Sequence, residues 1–216
     1  MATDLIFVRH GQTTLNAERR MAGWTDSPLA SSGVEQARLV GAHVVASYPL
    51  DRVYCSPLQR TMATARAFAD PLGHDLILLD DLREMYFGEC EALTVAEIQA
   101  RYPDAPRDPG ALIDHFFVWP GGESLDGFFA RVRAVVRRIV DESPDMRVAV
   151  VTHGAVIGTL VAEIVAGDPF RWRKYVPRNC SITEIRAEGG ELSVVRHDDW
   201  SFMPESAVDP IVANRR

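Results

Sequence analysis

The chain has 216 residues, the length of one domain or a small pair of domains. Hydrophobic residues make up 47% of it and charged residues 25%, proportions that are typical of globular domains and exclude a disordered chain. The net charge of -7, from 23 basic and 30 acidic residues, argues against a nucleic-acid partner, because neutralising phosphates needs surplus Lys and Arg.

The first predicted element is a buried strand. Leu5–Val8 is an uninterrupted apolar run without a basic leader, and it is too short for a signal peptide or a membrane span. The run predicts a strand that is buried on both faces and stops at Arg9-His10-Gly11. A helix is predicted after Ser31-Ser32-Gly33, because apolar residues recur there at helical spacing. These positions are Val34, Ala37, Val40, Gly41 and Val44.

A second strand and a second helix follow. Val53–Cys55 is short and apolar, which predicts a strand. Ser56-Pro57 predicts a helix N-cap followed by proline at the first helical position. We expect this helix to run from Leu58 to about Ala69, and Asp75–Leu79 to form a third strand.

The second half contains an irregular stretch between regular elements. Residues 103–123 hold four of the chain's prolines and paired glycines, which interrupt regular structure. Ser124 is then predicted to cap a helix that runs through Ile139. Val148–Thr152 is the clearest buried strand, and a helix over Ala155–Val165 is predicted to follow it.

The order of elements predicts an α/β fold. Strands that alternate with helices indicate a three-layer α/β/α domain with a mostly parallel sheet. Ser181–Arg186 and Leu192–Val195 flank Glu188-Gly189-Gly190, which predicts a hairpin that adds an antiparallel edge. We expect one domain over residues 1–216, with an irregular cap at about 103–123 and the active site at the C-terminal ends of the strands.

Cationic and imidazole side chains follow the predicted strands where a ligand would bind. Arg9 and His10 end the first strand, Arg60 lies in the first turn after another, and His153 ends a third. Arginine offers a planar fork of donors that suits phosphoryl oxygens, and helix N-termini attract anions. A neutral imidazole can also act as a nucleophile. The sequence therefore predicts a site for a small phosphate monoester.

The pattern Arg9-His10-Gly11-Gln12-Thr13, with Asn16 following, resembles the histidine phosphatase family, also called the phosphoglycerate mutase-like superfamily. The resemblance extends over roughly residues 4 to 185 in the family's order. Further stretches that resemble the family are Gly23, Asp26, Pro28-Leu29, Gly33, Gln36-Ala37, Ser56-Pro57-Leu58-Gln59-Arg60-Thr61, Thr64-Ala65, Leu82-Arg83-Glu84, Gly88-Glu89, Pro120-Gly121-Gly122-Glu123-Ser124 and Val151-Thr152-His153-Gly154.

The resemblance implies a two-step reaction without metal or cofactor. His10 would attack phosphorus and carry a covalent phosphohistidine, while Glu84 would protonate the departing alcohol and then deprotonate water. Cationic and imidazole groups would hold the phosphoryl oxygens, with weaker contacts from nearby amides. The implied holding residues are Arg9, Arg60 and His153, and the weaker candidates are Gln12, Asn16 and the backbone of Gly154. Thr13 is expected to brace the turn.

The stretch that begins at Glu84, the implied proton donor, departs from the pattern of the mutases. The true mutases resemble Glu-Arg-His-Tyr-Gly there, whereas this chain has Glu84-Met85-Tyr86-Phe87-Gly88. The missing Arg and His would grip a second acidic group, so a phosphatase is preferred over a phosphoglycerate mutase. Cys90 and Ala92 replace a Trp and a Gly that are frequent in relatives, which leaves the local loop geometry open. A non-catalytic phospho-ligand binder is a third alternative.

Other candidate sites are set aside. Cys55 has four residues between it and Arg60, one fewer than the Cys-x5-Arg phosphatase loop needs, so it is interpreted as a buried strand residue. The three cysteines contain no CxxC pair, which predicts neither a disulfide framework nor a zinc site and fits a reducing, cytoplasmic location. The scattered histidines and the acidic pairs show no ligand spacing. They are His43, His74, His115, His197, Asp80-Asp81 and Asp198-Asp199.

Two surface hypotheses concern aromatic residues. Phe116, Phe117 and Trp119, with Tyr86 and Phe87, are candidates to line the pocket, which would favour an apolar or ring-shaped leaving group. Trp172 and Tyr175 stand beside basic residues and are candidates for a homodimer surface, although a solvated helix edge explains them equally well.

Overall fold

A computed structural model describes residues 2–105 and 118–204. These residues form a sheet of six strands in the order β3-β2-β4-β1-β5-β6. Strands β1 to β4 are mutually parallel, and the hairpin of β5 and β6 is antiparallel. The strands are β1 Ala2–Arg9, β2 Arg52–Cys55, β3 Leu76–Leu78, β4 Arg147–Thr152, β5 Ile182–Glu188 and β6 Glu191–Asp199. The predicted fold class is confirmed.

Helices cover both faces of the sheet. Leu5 and Phe7 of β1 point to the face that α5 and α6 cover, whereas Ile6 and Val8 point to the face of α2 and α3. Each of these side chains is fully buried, which contributes about 1.5–3 kcal/mol apiece. The described helices are α1 Thr14–Ala17, α2 Ser31–Ser47, α3 Gln59–Leu72, α4 Val95–Arg101, α5 Leu125–Glu142 and α6 Gly154–Ala166.

The predicted start of α3 is wrong. Ser56 does not cap this helix, which begins at Gln59 with Leu58 at the N-cap position. The first free N–H of the helix, that of Gln59, instead donates to Oδ1 of Asp26 at 2.9 Å. Asp26 comes from a loop 33 residues away, so a remote carboxylate supplies the cap and the Ser56 hydroxyl is used elsewhere.

Short elements were not predicted, and one apolar position was misplaced. Helices α1 and α4 begin with the capping boxes of Thr13 and Thr94. Within the described residues, short 3₁₀ turns lie at Asp80–Leu82, Gly88–Cys90 and Pro169–Tyr175. Val34 was assigned to the apolar face of α2, but it is 57% exposed. Two residues further along, Gln36 is buried and accepts the backbone N–H of Gln12.

The aromatic hypotheses are partly corrected. Trp119 is buried and packs edge-on against Phe87 at 4.8 Å, so both rings belong to the core. Phe116, Phe117 and His115 lie outside the described residues, as does the stretch 106–117 of the predicted cap. Trp172 is also buried and offers no ring to a partner. No helix in residues 2–105 and 118–204 is long and apolar enough to cross a membrane.

Candidate active site

The sheet brings the predicted cationic and imidazole residues to one edge. β4 lies between β1 and β2, and Arg9 is paired in register with Thr152. His10 and His153 therefore leave adjacent parallel strands at the same level, and their ring centroids lie 5.1 Å apart. Arg60 lies in the first turn of α3, directly after β2. The carboxyl ends of three neighbouring strands thus build one pocket.

His10 is held in a single tautomer. Its Nδ1 lies 2.8 Å from the carbonyl oxygen of Gly11, which only accepts, so Nδ1 carries the proton and Nε2 keeps its lone pair. The ring is buried. This burial, followed by the charges of Arg60 and Arg9, holds the pKa of His10 well below its usual value. The imidazole is therefore neutral at pH 7, with an unprotonated nitrogen.

Arg60 is a fully buried cation that backbone carbonyls hold in place. Its Nη1 donates to the carbonyl of Thr25 at 3.0 Å and its Nη2 to that of Gly23 at 2.6 Å. Burial lowers the pKa of Arg60 to about 10, and the Glu84 carboxylate opposes that shift most strongly. Arg60 is thus charged at neutral pH. Within the described part of the chain, no carboxylate lies at salt-bridge distance from it.

Arg9 lies across the first residue of α6. Its Nη1 donates to the carbonyl of Pro177 at 2.6 Å. A Cβ atom at Gly154 would lie 3.2 Å from both Cζ and Nε of Arg9. A side chain there would require the guanidinium to shift, so the absence of a Cβ atom at Gly154 favours its close approach to the helix N-terminus.

His153 is the second buried imidazole. Its Nε2 lies 2.8 Å from Oγ of Ser56, and its Nδ1 has no hydrogen-bond partner among the described residues. Burial lowers the pKa of His153 far below its usual value, and the charge of Arg60 and the neighbouring His10 lower it further. We name the set Arg9, His10, Ser56, Arg60, His153 and Gly154 the phosphate pocket.

Glu84 reaches the same place from an irregular stretch. Its Oε2 accepts the backbone N–H of Ala155 at 3.1 Å, in the first turn of α6, and its Oε1 accepts that of Met85 at 2.9 Å. The carboxylate therefore lies at the positive end of the helix that begins directly after His153. The structure thus places Glu84 beside the phosphate pocket. We name residues 79–93 the donor segment.

Remote residues hold the donor segment. The carbonyl oxygen of Glu84 accepts Nε1 of Trp24 at 2.8 Å and Nη2 of Arg131 at 3.1 Å. Arg131 also pairs with Glu123 in a two-point contact of 2.9 and 2.6 Å, with both side chains mostly buried. Glu91 accepts the backbone N–H of Trp24 at 2.6 Å. Backbone hydrogen bonds from Glu89 to Pro120 and from Ala92 to Met21 hold the segment as well, so its geometry depends on contacts with remote loops rather than on the sheet alone.

The weaker candidates have structural bonds of their own. Oε1 of Gln12 accepts the Ser32 hydroxyl at 2.5 Å. Oδ1 of Asn16 accepts the Thr13 N–H at 3.2 Å, while Oγ1 of Thr13 accepts the Asn16 N–H at 3.1 Å, so Thr13 braces the turn as expected. The phosphate contacts assigned to Gln12 and Asn16 remain predictions.

Three positions with clear contacts in the site were missed. Ser56 was interpreted as a helix cap. Arg131 was read only as a polar residue of an amphipathic helix. Asn179, whose Nδ2 donates to the carbonyl of His10 at 2.8 Å, lies in an irregular turn before β5. Ser56 stands within Ser56-Pro57-Leu58-Gln59-Arg60-Thr61, a stretch that resembles the family, and this resemblance was the indication of its importance.

The arrangement can bind and transfer a phosphoryl group. It combines a neutral imidazole with a free lone pair, buried guanidinium charge and a carboxylate on a helix N-terminus. Cys55 is no competing nucleophile, because burial raises the pKa of its thiol to about 12. No group of three or more His, Cys, Asp or Glu side chains within residues 2–105 and 118–204 could hold a metal ion.

Comparisons with known proteins agree with this geometry. The profile of the histidine phosphatase superfamily, branch 1, matches residues 5–199. The uncharacterized phosphatase PhoE of Bacillus subtilis is 32% identical over 167 residues, which are 77% of this chain and 80% of that protein. The protein named "probable phosphoglycerate mutase GpmB" of Photorhabdus laumondii is 36% identical over 187 residues, 84% of either chain. The solved structure of YhfR from Bacillus stearothermophilus superposes with a TM-score of 0.83 at 31% identity, covering 94% of this chain and all of that one.

Proposed function

The chain belongs to the histidine phosphatase superfamily, branch 1, and on that premise we propose that it is a metal-independent phosphatase of small phosphate monoesters that works through a covalent phosphohistidine. Members of this superfamily are phosphatases and mutases. One observation carries the proposal: the neutral imidazole of His10 lies beside Arg60, a fully buried cation with no carboxylate at salt-bridge distance in the described residues. A buried charge without a directly paired carboxylate is costly. The carboxylates of Glu84, Asp26 and Glu91 attract it only from beyond salt-bridge distance, and an anionic ligand would supply a direct partner.

The first step transfers the phosphoryl group to the protein. Nε2 of His10 attacks phosphorus with its lone pair and forms an N–P bond, while the bond from phosphorus to the ester oxygen breaks. The departing oxygen takes the proton of the Glu84 carboxylic acid and leaves as the alcohol, while Glu84 remains as the carboxylate. Nδ1 of His10 keeps its proton and its bond to Gly11, so the ring is held in line throughout.

The second step returns the imidazole to its starting state. The Glu84 carboxylate takes a proton from water, the oxygen of that water attacks phosphorus, and the N–P bond breaks with its electron pair returning to Nε2. Phosphate leaves, and Glu84 is again protonated. One carboxyl group thus serves in both directions, and its place at the N-terminus of α6 keeps it near the reacting oxygen.

The charges of the phosphate pocket supply the stabilisation. Arg9, Arg60, His153 and the N-terminus of α6 would hold the non-bridging oxygens, with Gln12 and Asn16 as outer contacts. Each charged hydrogen bond contributes about 1.5–3 kcal/mol. Because Arg60 and His153 are buried and already oriented, little reorganisation is needed when charge shifts in the transition state. The set acts together, and no single arginine suffices.

Mutase activity is the second candidate, since a relative is named for it. The two positions that correspond to the Arg and His of the mutase pattern carry no cation in this chain, where they are Met85 and Tyr86. Met85 is fully buried, Tyr86 packs against Trp24 at 5.0 Å, and Arg83 is paired with Asp80 at 2.6 Å. These contacts favour hydrolysis over transfer within a phosphoglycerate.

The test measures hydrolysis of p-nitrophenyl phosphate with and without EDTA, and interconversion of 2- and 3-phosphoglycerate. We expect turnover that EDTA leaves unchanged, an acid-labile phosphoryl adduct in quenched enzyme, and loss of at least 10³-fold in kcat for His10→Ala. Undiminished activity of His10→Ala would refute the nucleophile. Phosphoglycerate interconversion faster than hydrolysis would establish the mutase instead, and absence of all turnover with retained phosphate binding would indicate a binding module.

A further inference from the structure

Ser56 is a buried hydroxyl group in the phosphate pocket to which the proposed reaction assigns no step. It follows β2 directly, has no exposed surface, and makes its single described side-chain hydrogen bond to Nε2 of His153 at 2.8 Å. Its backbone is held independently, because its N–H donates to Val151 and its carbonyl accepts the Thr61 hydroxyl. The hydroxyl is therefore not needed to shape the turn.

The bond to Ser56 constrains how His153 can meet a phosphoryl oxygen. A neutral imidazole has one N–H and one lone pair. Nε2 is committed to the serine, so Nδ1, the nitrogen without a described partner, is the one left for a ligand. A phosphoryl oxygen only accepts hydrogen bonds, so it needs Nδ1–H and is repelled by a lone pair at Nδ1.

We propose that Ser56 is a positioning residue that donates its hydroxyl proton to Nε2 of His153 and thereby holds the neutral ring in its Nδ1–H tautomer. This proposal rests on the proposed function, because the tautomer of His153 affects the reaction only if His153 contacts a phosphoryl oxygen. With Ser56 as donor, the pocket gains a hydrogen-bond donor without having to protonate a ring that burial and three arginines keep neutral.

The two imidazoles would then be set by opposite kinds of partner. The carbonyl of Gly11 can only accept, and it keeps the proton on Nδ1 of His10, leaving Nε2 as a lone pair. The hydroxyl of Ser56 can donate, and it fills the lone pair on Nε2 of His153, leaving Nδ1 as a donor. Both rings share one tautomer, yet one presents a nucleophile and the other a donor to the site.

The test reads the tautomer directly by ¹⁵N NMR of the free protein labelled at histidine, with the His153 signals assigned by their loss in His153→Gln. We expect wild type to show the Nδ1–H form of His153, and Ser56→Ala to shift it toward a mixture or toward Nε2–H. In Ser56→Ala, kcat for p-nitrophenyl phosphate should fall about 10- to 100-fold. Ser56→Thr, which keeps the hydroxyl, should retain the Nδ1–H form. If threonine destabilises the fold, the tautomer of His153 is measured in Ser56→Cys instead.

Two outcomes would overturn the proposal: wild type in the Nε2–H form, or Ser56→Ala with the wild-type tautomer and kcat. Because the spectrum is recorded without substrate, it separates this proposal from the proposed function. Loss of the tautomer in Ser56→Ala together with full activity of His10→Ala would refute the phosphohistidine reaction and leave the role of Ser56 standing.

Discussion

The phosphate pocket and the donor segment are built in different ways. The pocket takes its residues from the ends of β1, β2 and β4. Backbone hydrogen bonds join these strands up to their last residues, where the N–H of His10 donates to the carbonyl of Thr152 and the N–H of Ser56 to the carbonyl of Val151. The donor segment contains two short 3₁₀ turns, and both side chains and loop backbone from distant parts of the sequence hold it.

This difference separates two tasks that a phosphomonoesterase must perform. Every phosphate monoester presents the same phosphoryl group, so the groups that would hold it can be fixed in the sheet. Leaving groups differ, and the segment that would face them can change its sequence without disturbing a strand. The stretch Gly23–Thr25 joins the two regions, since its carbonyls hold Arg60 while Trp24 donates to the carbonyl of Glu84.

The largest effect that tests this division is expected in the phosphate pocket. Arg60→Lys replaces the planar fork that spans the Gly23 and Thr25 carbonyls with a single ammonium group. We expect kcat/KM to fall about 10²- to 10³-fold, by the same factor for aryl and alkyl phosphates. Arg66→Lys, at an exposed position of the same helix, is the control. A loss that depends on the leaving group would show that the two regions do not act separately.

In the donor segment, a substitution is expected to lower kcat/KM less, and by an amount that depends on the leaving group. Glu84→Gln removes the proton that the departing oxygen needs, which matters for a poor leaving group and little for p-nitrophenolate. We expect the ratio of kcat/KM for p-nitrophenyl phosphate to that for an alkyl phosphate to rise about 100-fold. Glu89→Gln, whose carboxylate contacts only Arg101 and Tyr102 among the described residues, should leave the ratio unchanged. Equal losses on both substrates would remove Glu84 from the role of proton donor.

Arg131, which holds the backbone of the donor segment, should show a weaker dependence of kcat/KM on the leaving group when it is substituted. Arg131 donates to the carbonyls of Asp81, Arg83 and Glu84 while it pairs with Glu123. Lysine cannot make these contacts together, so Arg131→Lys should lower kcat/KM about tenfold for alkyl phosphates and less for p-nitrophenyl phosphate. Arg133→Lys on the same helix is the matched control, since Arg133 is exposed and pairs with Glu163. A uniform loss would indicate a general loss of stability.

The same division explains what the sequence could and could not predict. The apolar runs of β1 and β4 and the residues directly after them follow from local composition, and so does the Ser124 cap, whose side chain accepts the Gly127 N–H. Asp26 as the cap of α3, Ser56 as the partner of His153 and Arg131 as the support of Glu84 all depend on contacts between distant stretches. These roles cannot be predicted from one stretch of sequence, because each depends on which distant residue lies next to it in the fold.

The smallest expected effect concerns backbone strain, where the two regions should respond with opposite signs. Ala92 in the donor segment and Cys180 beside the phosphate pocket both adopt left-handed backbone angles, with φ of 59° and 56°. Glycine adopts this conformation without the cost of about 1–2 kcal/mol that other residues bear. Its greater conformational freedom in the unfolded chain cancels part of this gain in stability. Ala92→Gly should therefore raise the free energy of unfolding by about 0.5 kcal/mol in urea titrations. Cys180→Gly should lower it by about 1 kcal/mol, because the buried thiol packs in the core and its removal leaves a cavity. Stabilisation at both positions would show that strain outweighs packing even against the sheet.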